Sequence, residues 1–122
     1  MRCLLLLGFC LASGFFQQLI FAEPAQRIIA LSPHSVEMLY AIGAGDRIVA
    51  TLEYSDYPEA ALAIPRIGNF TGIQIEKIIA LQPNLIIGWK SGNKLADLNK
   101  IESLGFKIFF SHPKTLMKLA LN

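Results

Sequence analysis

Cysteine is scarce in this chain, and its placement limits the chemistry that the protein can perform. The 122 residues include two cysteines, Cys3 and Cys10, both in the apolar N-terminal segment. The rest of the sequence therefore has no disulfide framework, no thiolate metal site and no cysteine nucleophile. Charge is scarce as well: 16% of residues are charged, the net charge is +2 and no basic stripe is present. This composition argues against nucleic acid as a partner.

Sequence signatures of catalysis are also missing. The chain contains no P-loop, no nucleophile elbow and no zinc-protease motif. Its one G-x-G, at 43–45, follows a predicted helix rather than a strand and therefore indicates a turn. The sequence predicts no enzyme, no catalytic residue and no cofactor. A stand-alone Rossmann-like enzyme or nucleotide-binding domain is the alternative that the missing phosphate-loop glycines disfavour.

The longest apolar run lies at the N-terminus and is typical of a secretory signal peptide. Met1 and Arg2 precede a run rich in Leu and Phe, and Ala22 stands before a polar start. We therefore predict a signal peptide over 1–22 and a periplasmic chain over 23–122. An uncleaved membrane anchor is the alternative, although two glutamines interrupt the ~20 apolar residues that a spanning helix needs. Lipidation at Cys10 is disfavoured because a bulky phenylalanine precedes it.

Short apolar runs alternate with helical stretches along the remaining chain. These runs are continuous rather than interleaved with polar residues, which is typical of parallel strands buried on both faces. Gly43 and Gly105 end predicted helices, and Pro83 stops another. The predicted strands are 28–31, 48–51, 85–88 and 108–110, and the predicted helices are 35–42, 58–62, 75–81, 93–104 and 115–121. The resulting fold class is α/β, a Rossmann-like parallel sheet flanked by helices.

Aromatic residues gather after the predicted strands. In open α/β sheets, ligands bind at the carboxyl ends of the strands. Here Tyr54 and Tyr57 follow the second strand, Trp89 follows the third, and Phe70 lies in the loop before a helix. Aromatic side chains offer large, stiff apolar surfaces with polar tips. This edge therefore suits a flat or bulky organic ligand better than a small ion.

Polar residues follow the first and fourth predicted strands. Ser32, Pro33 and His34 come after the first, and Ser111 and His112 after the fourth. We expect Ser32 and Ser35 to cap a helix rather than act as nucleophiles. We expect His34 to be solvated at a helix start, because no second histidine or carboxylate is spaced to share a metal ion with it. The sequence thus predicts no metal site.

Several segments together resemble one family. In combination they are similar to the periplasmic binding proteins that carry siderophores, haem or cobalamin for ABC transporters. The stretch from Glu76 to Ile87 is shared across that group, whereas Tyr-Ser-Asp-Tyr-Pro and Trp-x-x-Gly-Asn are narrower and resemble its cobalamin binders. The segments that carry the resemblance are Ile29–Pro33, Tyr54–Pro58, Glu76–Ile87, Trp89 with Gly92 and Asn93, and Ser103–Lys107.

The resemblance implies the substrate-binding component of a cobalamin uptake ABC transporter, with a ferric siderophore- or haem-binding protein as the alternative. Members of the family have two α/β lobes joined by a long helix, and their ligand lies between the lobes. Because the similarity covers roughly 27–115, we expect the chain to be the N-terminal lobe, truncated at the start of the inter-lobe helix. A non-functional remnant is a further alternative.

The resemblance also implies roles for individual residues. Tyr54 and Trp89 would line the ligand face, and Phe70 stands where the cobalamin binders have a tryptophan, which keeps the aromatic surface without the indole N–H. Glu76 matches an acidic residue that docks onto arginines of the membrane permease. The expected partners are cobalamin or a related corrinoid and that permease. The expected ligand-binding residues are Ser32, Pro33, Tyr54, Phe70, Trp89, Gly92 and Asn93.

Overall fold

A computed structural model describes residues 24–112 of the chain. The predicted signal peptide and the predicted helix over 115–121 lie outside these residues. Within them, no helix has both the length and the apolar character needed to cross a bilayer. In chain order the elements are β1 (Ile28–Ala30), α1 (Pro33–Ala41), a 3₁₀ turn (Gly45–Arg47), β2 (Ile48–Thr51), a 3₁₀ helix (Glu59–Ala63), β3 (Gly68–Asn69), β4 (Gly72–Ile73), α2 (Ile75–Leu81), β5 (Leu85–Gly88), α3 (Leu95–Ser103) and β6 (Ile108–Phe110).

The sheet is four-stranded and parallel, in the order β2-β1-β5-β6, which confirms the predicted α/β fold class. From β1 the chain crosses to β2 on one side and later returns to β5 on the other side of β1. The strand order therefore reverses between β1 and β5. At such a topological switch point the two following loops diverge and leave a crevice beyond the carboxyl ends of the strands.

Apolar side chains cover both faces of the sheet, which explains the continuous apolar runs in the sequence. Side chains of one parity, such as Ile29 and Ile86, pack with residues of α2 and α3. Side chains of the other parity, such as Ile28 and Ile87, pack with residues of α1 and the 3₁₀ helix. Because successive side chains of a strand point to opposite faces, both parities must be apolar when both faces are covered.

Two helix starts differ from the sequence prediction by two residues each. Helix α1 begins at Pro33 rather than at residue 35, since the extended Ser32 is its N-cap and its Oγ accepts a hydrogen bond from the Ser35 amide at 3.3 Å. Helix α3 begins at Leu95 rather than at residue 93, because Lys94 has an extended ψ of 122°. The predicted helix over 58–62 is a 3₁₀ helix shifted by one residue.

A two-stranded hairpin formed by β3 and β4 was missing from the prediction. Gly68 pairs with Ile73 in an antiparallel ladder, and Gly68 has a φ of +146° with the Gly72 backbone where a Cβ would lie. The Asn69 Oδ1 accepts a hydrogen bond from the Thr71 amide at 2.9 Å and closes the turn. The hairpin places Phe70 at its tip.

The described core predicts a clear contrast between two leucines one turn apart on α3. Leu98 is 1% exposed and Leu95 is 59% exposed. We expect Leu98→Ala to lower the free energy of unfolding by about 3 kcal/mol, because it leaves a cavity beneath the sheet. Leu95→Ala is the matched control and should change it by about 0.5 kcal/mol or less. Urea unfolding followed by circular dichroism measures both, and equal losses would contradict the described packing.

Candidate ligand-binding site

Trp89 occupies the crevice at the topological switch point. It follows β5, and His34 lies beside it in the first turn of α1, which follows β1. The Trp89 and His34 rings meet edge-on, with centroids 5.3 Å apart and an interplanar angle of 86°. Phe70 meets Trp89 in the same way, at 5.7 Å and 81°. The structure therefore brings together two of the predicted aromatic ligand residues, Phe70 and Trp89, in the geometry that aromatic pairs favour.

The side-chain amide of Asn93 fixes the backbone of Trp89. Its Oδ1 accepts a hydrogen bond from the Trp89 amide at 2.7 Å, and its Nδ2 donates to the Leu31 carbonyl at 2.8 Å. Asn93 is 7% exposed, so it supports the ring from beneath rather than presenting its amide on the surface. One side chain thus links the loop after β5 to the end of β1 across the crevice.

Gly92 leaves the space that the Trp89 ring needs. A Cβ at residue 92 would overlap carbon atoms of the six-membered ring of Trp89. The amides of Gly92 and Asn93 both donate to the Trp89 carbonyl, at 3.1 Å and 2.8 Å, so the chain turns tightly beneath the ring. Only glycine permits so close an approach of backbone and ring. The Trp-x-x-Gly-Asn motif is therefore a unit that orients one aromatic side chain.

A network of hydroxyl groups and one imidazole lies beside Trp89. His34 Nε2 is 2.9 Å from Ser111 Oγ and 3.3 Å from Ser32 Oγ. Ser35 Oγ is 2.7 Å from Ser32 Oγ and 3.3 Å from Ser111 Oγ. The three serines are buried, and His34 is half-buried. His34 is therefore only partly solvated, because its Nε2 faces the buried serines.

Sequence reasoning gave no role to Ser111, which completes this network. The available signal was its place directly after the fourth strand, at the same sheet edge as Ser32. Ser32 is fully buried and its hydroxyl is engaged within the network, while Pro33 is half-buried at the start of α1. Among residues 24–112, no group of three or more His, Cys, Asp or Glu is arranged to hold a metal ion.

Tyr54 stands apart from the other aromatic residues. It follows β2, its side chain is 70% exposed, and its φ is +71°. Within the part of the chain that the structure describes, the aromatic contacts join Trp89 to His34 and to Phe70, not to Tyr54. Because β2 and β5 are both neighbours of β1, the loops carrying Tyr54 and Trp89 start about 10 Å apart. The two residues flank the end of β1.

Glu76 lies outside the crevice, on the exposed side of α2. It is in the first turn of that helix, where the helix dipole favours a carboxylate. Within residues 24–112 it makes no ion pair. Its carboxylate takes no part in the aromatic arrangement.

The network predicts that acid destabilises the fold through His34. Burial lowers the pKa of His34 below its ordinary value of 6.5, and the charge of Glu37 partly opposes this. As the pH falls, the unfolded chain therefore binds a proton before the folded chain does, and the free energy of unfolding decreases.

We expect this decrease in urea titrations from about pH 7.5 to about pH 5.5, across the ordinary histidine range. His34→Gln should reduce the pH dependence. His112→Gln, which changes the exposed second histidine, should leave it in place. An undiminished pH dependence in the His34→Gln variant would contradict the assignment.

Comparison with known proteins agrees with this architecture. The family model described as "Periplasmic binding protein" matches residues 28–113. The vitamin B12-binding protein of Vibrio cholerae is 52% identical over 99 residues, which are 81% of this chain and 36% of that protein. The vitamin B12-binding protein of Vibrio vulnificus is 48% identical over 101 residues, 83% of this chain and 37% of that protein.

Solved structures show the same relationship. The periplasmic vitamin B12-binding protein of Vibrio cholerae superposes with a TM-score of 0.71 at 52% identity, covering 73% of this chain and 35% of that one. A periplasmic haem-binding protein from Roseiflexus sp. RS-1 gives a TM-score of 0.65 at 27% identity, covering 71% of this chain and 34% of that one. The chain thus spans little more than a third of the length of these relatives. With the matched family model and the parallel sheet, these similarities establish that the chain belongs to the periplasmic binding protein family.

Proposed function

We propose that this chain forms one wall of a cobalamin site in the substrate-binding component of an uptake ABC transporter. In this role it acts in the periplasm and delivers the vitamin to the membrane permease. The observation that carries the proposal is the Trp89 ring, held edge-on between His34 and Phe70 at the switch point of the sheet. A large aromatic surface placed there suits a flat macrocycle with an apolar face.

The relatives support cobalamin as the ligand. Proteins named vitamin B12-binding protein match this chain at 48% and 52% identity. Haem is the second candidate, because a solved haem-binding protein shares the fold at 27% identity. Both ligands are flat tetrapyrrole-like macrocycles, so ring stacking serves either.

Six of the seven predicted ligand residues divide into those that offer ring surface and those that position a neighbouring residue. Tyr54, Phe70 and Trp89 offer ring surface, and we propose them as direct contacts. Ser32 and Asn93 are buried and orient their neighbours, and Gly92 makes room for the Trp89 ring. One wall buries less ligand surface than a closed cleft, so we expect weaker binding than in a two-walled relative.

The role we propose is binding rather than catalysis. The 2.9 Å contact between His34 Nε2 and Ser111 Oγ has the spacing of a serine activated by an imidazole. Ser111, however, is 3% exposed, and its hydroxyl also contacts Ser35 and the Gly88 carbonyl. A substrate carbonyl does not reach an oxygen buried in this way. The pair therefore belongs to the framework around Trp89.

Titration of the purified chain with cyanocobalamin tests the proposal. Trp89 is the only tryptophan in the sequence, so its fluorescence, corrected for light absorbed by the ligand, reports on the site directly. We expect saturable quenching. If haem or a ferric siderophore quenches the fluorescence and cyanocobalamin does not, that compound is the ligand instead of cobalamin. If none of them quenches it, the chain has no tetrapyrrole or siderophore site.

Two tyrosines of one loop provide a matched test of the direct contacts. Tyr54 and Tyr57 are equally exposed, at 70%, but only Tyr54 is proposed to touch the ligand. Tyr54→Ala should weaken cyanocobalamin binding about tenfold, since it removes an aromatic side chain that the ligand would cover. Tyr57→Ala should leave the affinity within about twofold of the unmodified chain. Equal losses would reject the assignment of Tyr54.

A second pair of variants tests docking to the permease. Glu76 and Glu59 are both exposed acids in the first turn of a helix, but only Glu76 is proposed to meet arginines of the permease. Glu76→Gln should weaken binding to a purified permease–ATPase complex about fivefold at low salt, and Glu59→Gln should not. Surface-immobilised complex and interferometry measure both. An unaffected Glu76→Gln variant would remove that residue from the interface.

A further inference from the structure

The loop that carries Tyr54 is tied down by one arginine from a neighbouring segment. Arg66 Nη2 donates to the Ser55 carbonyl at 3.0 Å and lies 3.3 Å from Asp56 Oδ1, and Nη1 donates to the Leu52 carbonyl at 3.4 Å. These acceptors precede and follow Tyr54 in the chain. A single planar guanidinium therefore connects the backbone before Tyr54 to the backbone after it.

Tyr54 needs such a restraint because its backbone is in the left-handed region. A φ of +71° is uncommon for a residue with a bulky side chain and costs about 1–3 kcal/mol. The ring is 70% exposed, so packing of the side chain does not compensate for this strain. The conformation persists only because the surrounding residues determine it.

The flanking residues supply part of this restraint. Ser55 is 1% exposed, and its Oγ lies 3.0 Å from the Thr51 hydroxyl at the end of β2. The Glu53 amide donates to the Gly68 carbonyl at 2.9 Å. The backbone is thus held immediately before and after Tyr54, and the guanidinium closes the span between these two points.

Arg66 is itself held in place from both sides. The Thr51 amide donates to the Pro65 carbonyl and the Ile67 amide donates to the Thr51 carbonyl, both at 2.9 Å, so the segment around Arg66 lies along β2. The Arg66 side chain is 22% exposed, whereas that of its partner Asp56 is 64% exposed. Its donors face the loop from a fixed backbone, so the arginine restrains the loop.

We propose that Arg66 is a positioning residue that keeps the Tyr54 ring in its ligand-binding orientation. The inference rests on the proposed role of Tyr54 as a ligand contact. Without the guanidinium, the loop relaxes to conformations with negative φ at Tyr54, and only a fraction of molecules presents the ring. Apparent affinity falls in proportion to that fraction.

A double-mutant cycle separates this role from a general effect on the fold. Arg66→Met should weaken cyanocobalamin binding about tenfold if about one molecule in ten keeps the ring in place. In a Tyr54→Ala background, Arg66→Met should cause little further loss, because the ring it positions is gone. A loss of equal size in both backgrounds would overturn the proposal. Arg27→Met is the matched control, since Arg27 donates to the Leu81 carbonyl outside this loop.

Proteolysis gives a readout that does not depend on the ligand. Chymotrypsin cleaves after Tyr54, and mass spectrometry identifies that cut among others. Arg66→Met should be cut at Tyr54–Ser55 at least several-fold faster than the unmodified chain, and Arg27→Met should not. Arg66→Lys, which keeps the charge but not the planar fork, should fall between them and serves if Arg66→Met does not fold.

The two readouts distinguish failure of the inference from failure of the proposed function. If the unmodified chain does not bind cyanocobalamin, the proposed function is refuted. The rate of chymotrypsin cleavage at Tyr54–Ser55 still decides in that case whether Arg66 restrains the loop. Unchanged cleavage at Tyr54–Ser55 in both Arg66 variants would overturn the inference even if cobalamin binds.

Discussion

The arrangement of the site depends on one amide side chain, that of Asn93. The ladder between β1 and β5 continues to the hydrogen bond from the Leu31 amide to the Ile87 carbonyl, at 2.9 Å. Beyond this hydrogen bond, the segments that follow β1 and β5 turn toward opposite faces of the sheet. Without Asn93, the Leu31 carbonyl and the Trp89 amide would each lack a hydrogen-bond partner. Asn93 satisfies both. Since an unpaired buried polar group costs about 1–3 kcal/mol, this bridge fixes where the Trp89 backbone lies.

The Trp89 side chain keeps its place although its indole N–H lacks a hydrogen-bond partner. The indole Nε1 of Trp89 is buried and has no hydrogen-bond partner within residues 24–112. Its backbone amide and carbonyl, by contrast, are both engaged, and two rings meet it edge-on. Backbone anchoring and ring contacts together hold the side chain at the switch point. The serine network beside it satisfies the hydroxyl groups that would otherwise be buried unpaired at this edge.

The sequence predicted the strands well because each is a continuous apolar run, and 85–88 and 108–110 match the structure residue for residue. The sequence did not predict the strand order. A strand with apolar side chains on both faces does not indicate which other strand it pairs with. The predicted start of α1 at residue 35 was two residues late, because the helix begins at Pro33, directly after the Ser32 cap. The hairpin around Phe70 was missed because its strands have two residues each, too few to show a period.

The candidate site was only partly predictable for a related reason. Aromatic residues after strand ends are visible in the sequence, so Tyr54 and Trp89 were named. Contacts between distant residues are not visible: Ser111 meets His34 across 77 positions, and Arg66 reaches Ser55 across 11. Such contacts follow from strand order and loop path, which the sequence pattern did not specify.

The close packing of Gly92 against Trp89 has a consequence for sequence variation. The two residues share a single volume, since the indole ring occupies the place of the missing Cβ. A smaller residue at position 89 would open that volume to a side chain at position 92, and a return to tryptophan would require glycine again. We therefore expect the two positions to covary among relatives, with glycine retained wherever the large ring is.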